Sequence, residues 1–166
     1  MSKGIDIVEE KVEAVPAGKQ PLRLWLRILT CSNMLERGMR NLLKERFDTT
    51  LPRFDLMAAL YRAPEEGLSM GELSRWLMVS NGNVTGVAER LEKEGLIARR
   101  AAPHDRRTQI VTMTPAGRAA FENWAREHER WISGMLADLT AEEMDQMMGL
   151  LAKAKASIAK HDKKDA

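Results

Sequence analysis

Apolar residues recur every three or four positions through most of this chain. From Leu22 to about Arg46, Trp25, Ile28, Leu29, Leu35, Met39, Leu42 and Leu43 form one broad stripe, which predicts a long amphipathic helix. Asp48 to Pro52 interrupts it, and Pro52 suits the first turn of a second helix carrying Phe54, Leu56, Met57, Leu60 and Tyr61. Ser69 with Glu72 three residues later is a capping box that starts a helix at Met70, with Leu73 and Leu77 turned inward. The run Val79-Ser80-Asn81-Gly82 breaks that helix. Ser80 or Asn81 can cap the next one, where Val84, Val87, Ala88 and Leu91 keep helical spacing and Gly95 marks the stop. Two short strands, Leu96 to Arg100 and Gln109 to Thr114, flank a charged tip. Thr114-Pro115 then opens a long helix bearing Phe121, Trp124, His128, Trp131 and Met135. Thr140 and Glu143 form a second capping box ahead of a last helix with Met144, Met147, Met148, Leu151 and Ile158 on one face.

The helix pair from Ser69 to Gly95 reads as a helix-turn-helix. Opposite the buried line of its second helix stand Gly82, Asn83, Thr85, Gly86, Glu89 and Arg90, none of them large and apolar. A helix lying in the DNA major groove needs short polar groups at the base edges and small residues where its backbone nears phosphate. The strand pair that follows is a wing, with the tip Pro103-His104-Asp105-Arg106-Arg107. Residues 97 to 118 hold five arginines and one aspartate. Wing arginines can enter the minor groove, where narrow width concentrates negative potential. Asp105 is placed to brace Arg107 and fix its aim.

From Leu96 to Arg118 the chain resembles the signature of the multiple-antibiotic-resistance regulator (MarR) family, an Asp-x-Arg wing followed by a strand that ends in a Thr-x-x-Gly-Arg turn. Here these are Asp105-Arg106-Arg107 and Thr114-Pro115-Ala116-Gly117-Arg118. The likeness runs across roughly residues 22 to 160 and includes the Pro52-Arg53-Phe54 opening of the second helix. It implies a homodimeric winged helix-turn-helix transcription factor, usually a repressor released from its operator by a small molecule.

The expected fold is therefore mainly α with a small β-wing, a winged helix-turn-helix lobe joined to a helical dimerisation region. Residues 1 to 20 mix charge with Pro16 and Gly18 and are expected to be a mobile arm. Residues 22 to 46 and 115 to 160 supply dimerisation helices, 52 to 114 the lobe, and 161 to 166 a polar tail. Two recognition helices must sit one turn of B-DNA apart, roughly 34 to 36 Å, and a rigid dimer stem sets that distance on a pseudo-palindromic double-stranded operator. In this reading Asn81, Asn83, Thr85, Gly86 and Arg90 face the major groove. Arg106 and Arg107 reach the minor groove with His104 beside them at the tip, and Ser80, Arg53 and Arg75 contact phosphates.

A ligand wedged between stem and lobe can switch such a dimer, given about 5.5 kcal/mol of preference for the mismatched spacing. Trp25, Met34, Met57, Trp124 and His128 are candidates for its pocket, although a stripe of this kind is more often plain core. Arg23, Arg27, Arg37 and Arg40 could hold a carboxylate or the phosphates of a coenzyme A thioester, or simply form a solvated face. That mixture favours an aromatic carboxylate or its acyl-CoA thioester as effector.

Composition narrows the alternatives. A chain of 166 residues with 44% apolar content can bury a core. Net charge is only +2, but residues 68 to 118 carry eight basic and five acidic side chains, whereas 119 to 151 carry two basic and seven acidic. Positive charge thus gathers at the wing. Cys31 alone forms no internal disulfide and fits a reducing cytoplasm. Its place well inside the first helix differs from that of peroxide-sensing family members, so a packed, inert thiol is expected. No leader or membrane-spanning pattern is read in the sequence, so no membrane partner is expected. His104, His128 and His161 lack metal-site spacing, and with no nucleophile motif or phosphate-cradling loop neither an enzyme nor a cofactor is expected. Two other readings remain: a protein-interaction module that keeps the fold without reading DNA, and an activator of the same family.

Overall fold

The computed structural model describes residue 10 and residues 12–77, 81–102 and 105–162. Helix α1 (Gln20–Phe47) ends where Asp48 takes a left-handed conformation, φ 45°, and donates its N–H to the Lys44 carbonyl at 3.2 Å. Helix α2 (Leu51–Tyr61) follows with proline in its first turn, as the sequence predicts. A two-residue strand β1 (Leu68–Ser69) leads into α3 (Met70–Leu77), then come α4 (Asn81–Lys93), β2 (Ile97–Ala102), β3 (Asp105–Met113), α5 (Pro115–Met135) and α6 (Ala141–Asp162). The expected architecture, mainly helical with a small wing, is the one observed.

Capping chemistry accounts for the boundaries. Ser69 N–H donates to Glu72 Oε2 at 2.8 Å while Glu72 N–H donates to Ser69 Oγ at 3.2 Å, so two orphan amides of α3 are satisfied reciprocally. Thr140 and Glu143 repeat the arrangement at α6, with 2.8 and 3.2 Å. These bonds hold both glutamate carboxyls below their ordinary range, Glu72 through Ser69 and Glu143 through Thr140. At α5, Thr114 Oγ1 accepts from Gly117 N–H at 2.9 Å.

The sheet is antiparallel in the order β1-β3-β2. Leu68 pairs with Val111 and Ser69 with Ile110, so β1 joins the wing. β2 and β3 run in register from Ile97 opposite Met113 to Ala101 opposite Gln109, then shift so that Ala102 faces Asp105. The strands thus extend further than the sequence suggests. Arg106 and Arg107 belong to the backbone of β3 rather than to a free tip, the ladder bulging where they lie.

Contacts divide the chain into two compact units, Met1–His128 and Glu129–Ala166, the division falling within α5. In the first unit Leu56, Met57, Leu73, Ala88, Leu91 and Val111 are fully buried, and Val84 and Ile97 nearly so. Beside them Phe54, Tyr61 and Phe121 form an aromatic cluster, with centroids 5.4 Å apart for Phe54 and Phe121 and 5.0 Å for Tyr61 and Phe121. Val12 is also fully buried, so the segment expected to be a mobile arm contributes a core side chain. One valine makes no periodic stripe, and nothing in the pattern signalled it. In the second unit the apolar face of α6 is exposed in the single chain, with Met147 at 48% and Ile158 at 62%.

Candidate nucleic-acid interface

The buried line of α4 is the one its spacing predicts: Val84, Ala88 and Leu91 lie in the core. Gly82, Asn83, Gly86, Glu89 and Arg90 are exposed and Thr85 is half-buried. A Cβ added at Gly82 or Gly86 would meet no protein atom within 4 Å. Neither glycine is required by packing, so what each provides is clearance on the outer surface of the helix. Asn81 opens α4, but its side chain, like Ser80 as a whole, lies outside the described residues. Gly95, φ 72°, ends α4 in the left-handed conformation, with Leu96 N–H donating to the Leu91 carbonyl at 2.9 Å.

Ahead of α4, Arg75 is exposed on α3 beside Trp76, which stands 59% exposed. With Leu68 and Glu72 they line a shallow cavity of about 480 Å³. A second cavity, about 310 Å³, is lined by Pro52 and Asp55 of α2, Leu77 of α3, and Asn83, Val84 and Val87 of α4. Burial, reinforced by the Glu36 carboxylate, pushes the Asp55 carboxyl above its ordinary value.

The wing is braced where it leaves the lobe. Arg99 Nε donates to Glu92 Oε2 at 2.7 Å, tying β2 back to the end of α4. Arg100 donates to the Glu66 carbonyl at 3.1 Å. The Arg99 hydrogen bond holds the Glu92 carboxyl below its usual range, and Arg99 in turn is held protonated. Asp105 accepts from Thr108 Oγ1 at 2.7 Å. The expected brace of Asp105 on Arg107 involves a side chain outside the described residues, as do the expected contacts of Arg106 and His104.

The Thr-x-x-Gly turn has a physical basis. A Cβ on Gly117 would lie 1.9 Å from the Leu96 carbonyl oxygen, so α5 can press on the start of the wing only through a glycine. Thr114 Oγ1 also donates to the Gly95 carbonyl at 2.7 Å, joining the ends of α4 and β3.

Several expected sites change place. Arg53, assigned to phosphate, is only 13% exposed and pairs with Glu94 at the end of α4. Among the described residues of the single chain, the candidate effector residues differ in burial. Met57 is fully buried, Trp124 is core and tilts against Phe47 at 6.3 Å, and His128 stands edge-on to Phe54 at 5.1 Å. Burial lowers the His128 pKa. Trp25 instead stands 55% exposed on α1, where Arg27, Arg37 and Arg40 are also at the surface, Arg40 paired with Glu36, and Met34 is half-buried. The reason is length: a helix of 28 residues is about 42 Å long, and only its last turns, at Met39 and Leu43, enter the core. Cys31 shares this surface, so the packed thiol expected from sequence is exposed. Sequence reasoning also passed over Arg99, Glu92 and Glu94, whose only local signal was opposite charge.

Two helices flanking residues 78–80, the second with a polar outer face cleared by glycine, and a hairpin behind them define a winged helix-turn-helix DNA-binding protein. The MarR family model matches residues 47–108. The transcriptional activatory protein BadR of Rhodopseudomonas palustris is 35% identical over 134 residues, covering 79% of this chain and 75% of the relative. The chain belongs to the MarR family of transcriptional regulators. A MarR family regulator from Silicibacter pomeroyi superposes with TM-score 0.72 at 30% identity, over 87% of this chain and 99% of that one. Sco3205 of Streptomyces coelicolor, solved in complex with DNA, shares the fold with TM-score 0.74 at 21% identity, over 86% and 89% of the two chains. This protein is thus a DNA-binding transcriptional regulator rather than an enzyme. Among the described residues no helix is long and apolar enough to cross a membrane.

Proposed function

We propose that this regulator binds a pseudo-palindromic operator as a homodimer, with α4 in the major groove and the wing in the minor groove, and that a small effector releases it. The observation that carries the reading is the outer face of α4. Asn83 and Arg90 are exposed there as base-reading donors, and the glycines at 82 and 86 leave room for backbone to approach phosphate. Asn81 and Thr85 complete that face, Arg75 and Ser80 contact phosphate, and Arg106 and Arg107 enter the minor groove. The exposed apolar faces of α1, at Leu24, Trp25 and Ile28, and of α6, at Met147, Met148 and Leu151, support pairing of two copies. The effector is an aromatic carboxylate or its acyl-CoA thioester, met by Trp25 and the arginines of α1 once two copies come together.

Fluorescence anisotropy on duplex DNA from upstream of the protein's own gene, at two salt concentrations and with a scrambled duplex as control, tests this. Selective, salt-sensitive binding that is lost on adding an aromatic acid or thioester is expected. Equal binding to both duplexes refutes operator reading. The regulator acts as a repressor in this reading; the likeness to an activatory relative favours activation as the second reading. A reporter assay in a strain lacking the protein separates them, since expression rises for a repressor and falls for an activator.

A further inference from the structure

Both acidic residues that close α4 are engaged by arginines from other elements. Glu92 Oε2 takes Arg99 from the wing through two nitrogens, Nε at 2.7 Å and Nη2 at 2.5 Å. Glu94 takes Arg53 from α2. Arg53 is the more committed of the two: it is 13% exposed and its buried Nε has no hydrogen-bond partner among the described residues, so Glu94 is the acceptor that holds its guanidinium. The end of α4 is therefore gripped from the wing side and from the scaffold side, while its polar face at Asn83 projects from the other end.

We propose that Arg53–Glu94 and Arg99–Glu92 are a two-point clamp that sets the aim of α4, making these four side chains positioning residues for operator selectivity that do not themselves touch DNA. The inference rests on the reading that α4 carries the base contacts. Leverage gives it force. Glu94 lies eleven positions beyond Asn83, about 16 Å along the helix, so a tilt of about 10° at the clamp moves Asn83 by nearly 3 Å. A hydrogen bond to a base edge does not survive such a shift. The Arg99–Glu92 pair also couples the wing to α4, so groove and wing contacts are set together.

The test uses the full chain and a duplex selected by the wild-type protein from a random-sequence pool, with anisotropy measured on it and on a scrambled duplex across several salt concentrations. E92Q, E94Q, R99Q and R53Q are compared, together with the double variants E92Q/R99Q and E94Q/R53Q and the conservative R99K. Removing a carboxylate near DNA would by charge alone strengthen binding to both duplexes. A clamp predicts the opposite sign on the selected duplex, a loss of about tenfold for each single variant, the magnitude of one base-reading contact. Affinity for the scrambled duplex and the slope against salt stay close to wild type. Each double variant is no worse than its worse single variant, and R99K, which keeps the charge without the fork, falls between wild type and R99Q.

A purely structural role lowers the active fraction equally on both duplexes and leaves their ratio unchanged, which overturns the proposal. An equal loss on both duplexes for R53Q or R99Q, with a salt slope shallower by about one, makes that arginine a phosphate contact and also overturns it. N83A separates the two readings. If N83A leaves the ratio unchanged, α4 is not the base-reading element. If N83A lowers the ratio and the four clamp variants do not, the clamp alone fails.

Discussion

Helices α4 and α6 are built from the same kind of pattern and end in opposite conditions. Both carry apolar residues at helical spacing. In α4 the stripe of Val84, Ala88 and Leu91 is in the core, and the surface left outside is polar. In α6 the stripe of Met144, Met147, Met148, Leu151 and Ile158 is between 36% and 62% exposed in the single chain. Amphipathicity alone thus specifies that a face will be covered and not by what. A helix whose apolar face is already satisfied is free to specialise its other side. One whose apolar face is bare is an instrument of association.

That contrast breaks first at α6. Replacing Met147 and Leu151 together by glutamate places charges on both copies of the proposed interface. Sedimentation equilibrium should show dimer affinity falling at least about 100-fold, with operator binding lost in parallel, since each buried apolar side chain is worth about 1.5–3 kcal/mol. An unchanged oligomeric state would remove α6 from the interface. The matching test at α4 is Leu91→Ala, which empties a fully buried site. It should cost about 2–5 kcal/mol in chemical denaturation while leaving the oligomer intact under native conditions.

Gly117→Ala probes the joint between wing and α5. The added Cβ collides with the Leu96 carbonyl oxygen, so the start of α5 must move, at a cost of about 1–3 kcal/mol. Gly86→Ala, with open space around it in the middle of a helix, should raise stability by about 0.5–1 kcal/mol while weakening operator binding. Comparing the two in thermal melts and anisotropy separates glycines kept for packing from glycines kept for clearance.

The smallest effect belongs to Asp55. Its carboxyl is raised above the ordinary 3.8 by burial and by Glu36, so the folded state binds its proton more tightly than the unfolded chain does. Its contribution is favourable below pH 3.8 and is lost as pH rises through the folded value, leaving a penalty at neutrality. Asp55→Asn should therefore raise Tm by a few degrees at most at pH 7, and the advantage should vanish as pH falls below 4. An unchanged or lower Tm at pH 7 would show that the carboxylate has a compensating partner.

The amino-acid sequence by itself determined the helices, their caps and the two-faced character of α4. These depend on residues within four positions of one another: Ser69 with Glu72, Thr140 with Glu143, Thr114 with Gly117, and the line from Val84 to Leu91. The family signature in the wing was legible for the same reason, being a local run. Tertiary structure decided which charges meet and which apolar faces are covered. Arg53 finds Glu94 across 41 residues because α2 packs against the end of α4, and no spacing rule forecasts that. Met57 and Trp25 look alike as pocket candidates in sequence, yet one is fully buried and the other 55% exposed, because only the last turns of α1 enter the core. Short-range bonding follows the repeat of the helix, whereas burial and ion pairing depend on the path of the whole chain, and that path exists only once the chain has folded.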